Sequence, residues 1–260
     1  LTSGPIVING EPLRLPVEPV LRMIGLAAAA IVAVITGLGM MAQWNTFAVY
    51  WHGVAVPDAA VDPIFGRPAT FYLFTLPVWQ LVSGWFTSIS VLVALMAAGF
   101  TVLASGTRLV VRSSGRPVGV LRGLSLSAAA VLLALAARTY VGRFERMLDD
   151  HTIFAGVTYT DAHVLVPGLL LVAGALVLGA VGCLVNAVAA PRLRWIGASV
   201  APAVVAYVGV SMVAWYVNGF VVKPNELVRE RPYITNNIAY TQEAFGLTQI
   251  SELPFPAEHG

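Results

Sequence analysis

The side chains that could bind a metal or move a proton fall in a few places. Four histidines occur: His52, His151, His163 and His259. Two of them share a short acidic stretch with Asp149, Asp150 and Asp161. Carboxylate oxygens and imidazole nitrogens are what a divalent cation takes. The spacing here matches no established ligand pattern, so no metal ligand is assigned. The favoured reading is a solvated loop, with Thr160 or Asp161 capping the helix that follows. A second charged stretch alternates in sign through Lys223, Glu226, Arg229, Glu230 and Arg231. It reads as a solvated, salt-bridged collar rather than a ligand site.

Other chemistries lack a carrier. There is no glycine-rich phosphate loop, no dinucleotide fingerprint, no GxSxG and no HExxH. A haem or chlorophyll held between helices takes a histidine from a span, and no histidine of this chain falls in one. The single cysteine, Cys183, sits in an apolar run, where a thiol is an inert packing residue. The expectation is a protein that is not an enzyme and holds no cofactor or metal.

The elements that must carry these residues follow from composition. The chain has 260 residues, of which 58% are hydrophobic and 11% charged. Its mean hydropathy is +0.80. A soluble domain carries about 25% charged residues, so this is the composition of an integral membrane protein. A net charge of +2 gives no reason to expect a nucleic-acid partner. Residues 1–19 are Pro-rich and polar, without the basic-then-apolar order of a signal peptide.

Five segments are long enough to cross a hydrocarbon core, which takes roughly 20 helical residues. They lie near 20–42, 78–103, 119–141, 164–188 and 196–218. The last two are joined by a tight link with Pro191, Arg192 and Arg194. The stretches 1–22, 104–122 and 189–195 hold eight Arg and two acidic residues. The remaining connections hold seven basic and eleven acidic residues. Basic density near span ends marks the cytoplasmic side, so residues 1–19 are expected to be cytoplasmic and the C-terminus extracytoplasmic. Two stripes of small residues recur every fourth position: Gly25, Ala29, Ala33 and Gly37 on the first span, and Ala175, Gly179 and Cys183 on the fourth. Such stripes let helices approach closely in lipid, and both are expected at helix contacts.

The polar ends have their own pattern. Asp62–Pro63 opens a turn and Gly66 permits a backbone reversal. Phe65, Phe71, Tyr72 and Phe74 are too apolar for a free loop, so this stretch is expected to fold back on the protein or membrane surface. Beyond the fifth span, Pro224 and Pro232 predict a stiff, non-helical connector over 223–231. A helix is expected from Ile234 to Ala244, with Thr235 or a nearby Asn as its cap and Gly246 as its stop. Its Ile234, Ile238 and Phe245 are expected to be covered by the aromatic loop. Residues 219–260 would then be an ordered extracytoplasmic collar and tail.

Three stretches together carry a resemblance. They are DPIFGRPATFYLFTLP at 62–77, FAGVTYTDAHVLVPGL at 154–169 and VVKPNELVRERPYITNNIAYTQEAFGL at 221–247. In order and spacing they resemble the uncharacterised bacterial membrane protein family UPF0182. The third stretch is the most specific, and the resemblance covers most of the chain. It implies seven spans followed by a large extracytoplasmic domain, of which this chain would hold spans three to seven. It carries over no activity and no catalytic residue. Pro68 stands where the family usually has an acid, and Gln242 where it usually has an Arg. The motif residues taken to mark structure are Asp62, Pro63, Phe65, Gly66, Tyr159, Asp161, Pro224, Asn225, Glu226, Arg231, Pro232, Tyr233 and Asn237.

The expected fold is all-α: a bundle of about five transmembrane helices over 20–218 with structured extracytoplasmic loops and tail. The expected setting is the bacterial cytoplasmic membrane. The expected role is a structural or accessory subunit of a larger membrane complex, with the lipid bilayer and other membrane subunits as partners. The rival is the membrane part of a transport or export component.

Overall fold

A computed structural model describes residues 6–8, 11–13, 17–54, 61–110, 118–151, 154–189, 191–247 and 250. Parts of the expected N-terminal segment (1–5, 9–10, 14–16) lie outside the described residues. So do residues 251–260 of the tail, with His259. The segment before the first span carries a small antiparallel hairpin, β1 (Ile6–Ile8) on β2 (Glu11–Leu13). The rest is helical: α1 (Val17–Met41), α2 (Trp44–His52), α3 (Leu76–Val110), α4 (Val118–Glu145), α5 (Val166–Val188), α6 (Leu193–Tyr216) and α7 (Glu226–Ala244).

Five helical runs are long and apolar enough to cross a membrane, and they coincide with the five segments read from the sequence. α3 is entered through a π-turn at Phe71–Thr75, and α5 through another at Asp161–Leu165. A third π-turn, Val217–Val222, follows α6. The spans run up and down, so these three turns share one end of the bundle, here called the α7 end.

The core is built from α4, α5 and α6. Ala129, Leu132 and Ala136 of α4 meet Val172, Leu176, Ala180 and Cys183 of α5, with Ala203 of α6 closing the cluster. Ala180 and Cys183 are fully buried. Small side chains at the crossing let the backbones approach, and dispersion between close-packed atoms then holds the helices together. Gly179 shows how close this is. A Cβ there would run into the Ser199 carbonyl of α6 and lie 3.3 Å from Leu132 Cδ1. Ala175 packs at the edge of the same cluster.

The stripe on the first span behaves differently. An added Cβ at Gly25 or Gly37 meets no heavy atom within 4 Å, and no part of the Met23–Met41 window is buried. Among the described residues neither Gly25 nor Gly37 lies at a close contact, and Ala29 and Ala33 are exposed. In an Ala-rich chain a fourfold spacing of small residues does not by itself select a packing face.

At the end away from α7, a polar staple fastens the core. Asn186 Nδ2 donates to Ser125 Oγ at 2.9 Å and to the Arg192 carbonyl at 3.2 Å. Its Oδ1 accepts the Arg192 N–H at 3.0 Å. Ser125 and Asn186 are both buried. The tight α5–α6 link thus owes its geometry to an amide inside the span as well as to Pro191.

Candidate functional site

The α7 end is assembled from two loops and α7 itself. In the first loop, Val61 and Pro68 pair as an isolated bridge and Gly66 turns the chain at φ +64. Asp62 fills the ring so formed. Its Oδ1 accepts the N–H groups of Ile64 (2.8 Å) and Phe65 (2.6 Å), and its Oδ2 those of Arg67 (2.9 Å) and the Tyr72 hydroxyl (2.8 Å). Charge-assisted bonds of this kind are about twice as strong as neutral ones. Phe65 and Phe71 stack on Phe144 at the end of α4, with centroids 4.7 and 5.2 Å away, and Arg143 lies over the same cluster. The aromatic stretch does fold back on the protein, as its composition required.

In the second loop Thr158 is the cap. Its Oγ1 donates to Asp161 Oδ2 at 2.6 Å, and the same carboxylate oxygen accepts the Thr158 N–H at 3.1 Å. The Asp161 N–H returns to Thr158 Oγ1 at 3.2 Å. This is a reciprocal capping arrangement, displaced from the position expected at Thr160 or Asp161. Thr160 is buried with its hydroxyl unpartnered. Neither is Asp161 solvated: it is 3% exposed. His151 Nε2 faces Asp161 Oδ2 at 3.5 Å, too far for a good hydrogen bond, and has no other partner. Asp149 is drawn off to Arg146 at 2.8 Å. The acidic stretch therefore separates into a surface pair and a buried one. Among the described residues no three His, Cys, Asp or Glu side chains converge as metal ligands do.

α7 completes the site and corrects several expectations. Residues 223–231 are helical: Lys223–Asn225 form a 3-10 turn and α7 begins at Glu226. Pro224 occupies a first-turn position, where a missing N–H costs nothing. Pro232 lies inside α7. An interior proline costs a helix roughly 3 kcal/mol, and the contacts made by this one face of α7 offset it. Asn225, at φ −139 and ψ 39, is where the helical run breaks. Thr235 caps nothing and bonds back to the Arg231 carbonyl, while Gly246 at φ +67 stops the helix as expected.

That break redirects the chain. Gly168 of α5 sits against Val210 of α6, and Gly179 against Ser199. Continuing this antiparallel register would set Tyr159 beside Gly219. Instead Tyr159 meets Glu230, eleven residues on, or about 16 Å of helix rise. α7 therefore folds back across the end of the bundle rather than projecting from it.

The docking face of α7 is polar. Both Glu230 oxygens accept the Tyr159 N–H, at 3.2 and 3.0 Å. Arg229 lies over the Tyr159 ring and reaches its hydroxyl at 3.4 Å. The Tyr233 hydroxyl is 3.3 Å from His163 Nδ1, and the His163 ring stacks on Tyr159 at 4.2 Å. Asn237 Nδ2 donates to the Ala155 carbonyl and the Tyr240 hydroxyl to the Val61 carbonyl, each at 2.7 Å. Of the apolar residues expected to be covered, Ile234 is half-buried, while Ile238 is 51% exposed and Phe245 75%. The alternating charges form no ion pair among the described residues. Glu226 and Arg231 are exposed, and Glu230 is buried.

Glu230 is thus a buried carboxylate beside a second one. Burial raises its pKa, the Tyr159 N–H works against that, and the Asp161 and Glu226 charges add to it while His151 lowers it. Burial likewise pushes the Tyr233 phenol up, with Glu230 adding to the effect. Where α7 meets α5, two buried carboxylates, Glu230 and Asp161, thus lie near one another, with the half-buried His151 beside Asp161. The sequence reading placed Asp161 and Tyr233 in motifs but missed Glu230 as a buried residue, and missed Thr158 and Asn186. The Thr158-x-x-Asp161 spacing was the available signal for the cap.

A family model described as an uncharacterised protein family, UPF0182, matches residues 8–260. A UPF0182 protein of Cupriavidus necator is 35% identical, over 96% of this chain and 28% of its own length. One from Leifsonia xyli is 31% identical over 93% of this chain and 24% of its own length. One from Salinibacter ruber is 30% identical over 96% and 26%. The chain spans about a quarter of the length of these curated relatives. No solved structure matches it.

Proposed function

The chain belongs to the uncharacterised UPF0182 family, and from that premise we propose that it is a non-catalytic accessory subunit of a larger bacterial membrane complex. The observation that carries this reading is the character of the interior. Among the described residues, the polar side chains buried within α3, α4, α5 and α6 are Ser83, Ser125, Ser127 and Asn186, none of them ionisable. A proton or ion path through a bundle is lined by ionisable groups facing its interior. Here the interior is filled with Ala, Leu, Val and Cys at close-packed contacts, which suits a rigid support. The α7 end would be the extracytoplasmic one, as the distribution of Arg suggests, in a cytoplasmic membrane.

A second reading takes the chain as the membrane part of a transport or export component. The fourfold greater length of the relatives favours it, since another part of such a protein would handle the substrate. Purification in a native detergent separates the two. A partner protein at fixed stoichiometry supports the accessory subunit. Reconstituted vesicles that show substrate-stimulated flux, with no such partner, would replace it with the transporter.

A further inference from the structure

α7 turns its polar face to the protein and leaves an apolar stripe outside. At 100° per residue, Leu227, Ile234, Ile238 and Phe245 fall within about 40° of one another. The docking residues Glu230, Tyr233, Asn237 and Tyr240 centre about 100° round from them. Leu227 is 84% exposed. In water such a stripe would be a liability. Its depth supplies the explanation. α6 has 24 residues, about 36 Å of rise, which already exceeds a hydrocarbon core of about 30 Å. The fold-back at Asn225 then returns α7 to Tyr159 and His163, where α5 enters its span. α7 therefore lies at the level of the headgroups, not beyond them.

Two further observations concern what covers the stripe. Trp215 of α6 and Phe220 of the π-turn that follows it are further exposed aromatics near the start of α7. Leu227, Val228, Arg231, Ile234 and Thr235 share one open, mostly apolar patch of the α7 surface. An apolar helix face with an exposed guanidinium at its side matches acyl chains below and a lipid phosphate beside it. We propose that α7 is an in-plane interfacial helix whose apolar stripe seats in the adjoining phospholipid leaflet, with Arg231 on lipid phosphate. This rests on the membrane reading and adds a second, tangential membrane contact to the five spans.

The test uses the intact protein in phosphatidylcholine vesicles, with an environment-sensitive fluorophore on the Ile238→Cys variant. A nitroxide near the top of the lipid acyl chains and a water-soluble quencher are compared. The same label on Met212→Cys, an exposed position of α6, serves as reference. The 238 label should lose most of its emission to the lipid nitroxide and little to the aqueous quencher. Quenching only from water would overturn the proposal, because the stripe would face solvent. Protection from both quenchers would also overturn it, because protein would cover the stripe. If the 212 label also escaped the lipid nitroxide, the membrane reading itself would fail.

Discussion

The two loops at the α7 end each lead into a π-turn and each bury one aspartate, yet the two are held differently. Asp62 receives four donors from its own loop and the turn that follows, so its ring is closed without help. Asp161 receives two donors, both from Thr158, and faces a histidine nitrogen that has no partner. Its surroundings are completed by a residue some seventy positions away, Glu230, which brings a second carboxylate rather than a donor. One carboxylate fixes a local fold. The other belongs to a long-range contact that leaves polar groups short of partners, and contacts of that kind respond to their conditions.

The sharpest way to break this contrast is Asp62→Ala. Three backbone N–H groups and a tyrosine hydroxyl lose their acceptor, and each orphaned buried group costs roughly 1–3 kcal/mol. The first loop should open, with new proteolysis at Arg67 and a clearly lowered Tm in detergent. A near-wild-type melting profile would show that the aromatic packing on Phe144, not the carboxylate, holds the loop.

Glu230→Ala should be milder, since it orphans one N–H at Tyr159, for about 1–3 kcal/mol. It should free α7 and speed tryptic cleavage after Arg229 while the first loop stays protected. Glu230→Gln keeps an acceptor without a charge, so α7 should remain docked. Equal cleavage in both variants would mean that the charge itself is required.

The third test is pH. The docked Glu230 carboxyl has its pKa raised above its free value, mainly by burial. Such a group contributes stability that is fully present below the free pKa and is lost as pH rises through the docked pKa. Docking of α7 should therefore be tighter in acid and loosen on going up through the docked pKa, as read by hydrogen exchange along α7. Glu230→Gln should flatten that dependence. Exchange that quickens on acidification would reverse the sign and show that the ionised carboxylate, through the Tyr159 N–H, is what holds α7.

The smallest expected effect is that of Tyr240→Phe, which removes the hydroxyl that, among the described residues, joins α7 to the first loop. A single net hydrogen bond is worth about 0.5–1.5 kcal/mol. Exchange should quicken at the C-terminal end of α7 only. If the Glu230 end quickened equally, the two loops would be behaving as one unit and the contrast between them would dissolve.

Much of the fold was legible because spans are written in long apolar runs, and lipid leaves no alternative to a helix for them. The first loop was legible for a similar reason: Asp62, Pro63 and Gly66 are local turn chemistry. The site was less so. Apolar periodicity identifies the buried face of a helix in water, and by that rule Ile234, Ile238 and Phe245 of α7 should point inward. Ile234 does turn partly inward, but Ile238 and Phe245 stay exposed, and the polar residues Glu230, Asn237 and Tyr240 make the docking contacts. Proline misled at 223–231 because Pro224 sits in a first turn that needs no N–H from it, and Pro232 is tolerated inside α7 by the contacts of its docking face. Glu230 and Asn186 were invisible because their partners, Tyr159 and Ser125, are more than sixty residues away.

The three π-turns give the α7 end a register of its own. A π-turn holds one residue more than the α-turn it replaces, which rotates whatever lies beyond it by about 100° relative to the span. All three sit at the same end, so the offset stops short of the packed segments of α4, α5 and α6. Length changes should therefore have opposite consequences on either side of the turns. One residue deleted from Phe71–Thr75 should leave α3 seated on α4 yet swing Tyr72 away from Asp62. One residue deleted from the middle of α5 should separate Gly179 from Ser199 and dismantle the bundle. Variation in the length of this sequence is best tolerated at the π-turns, and a relative lacking one of them should present its loops to α7 from a different side.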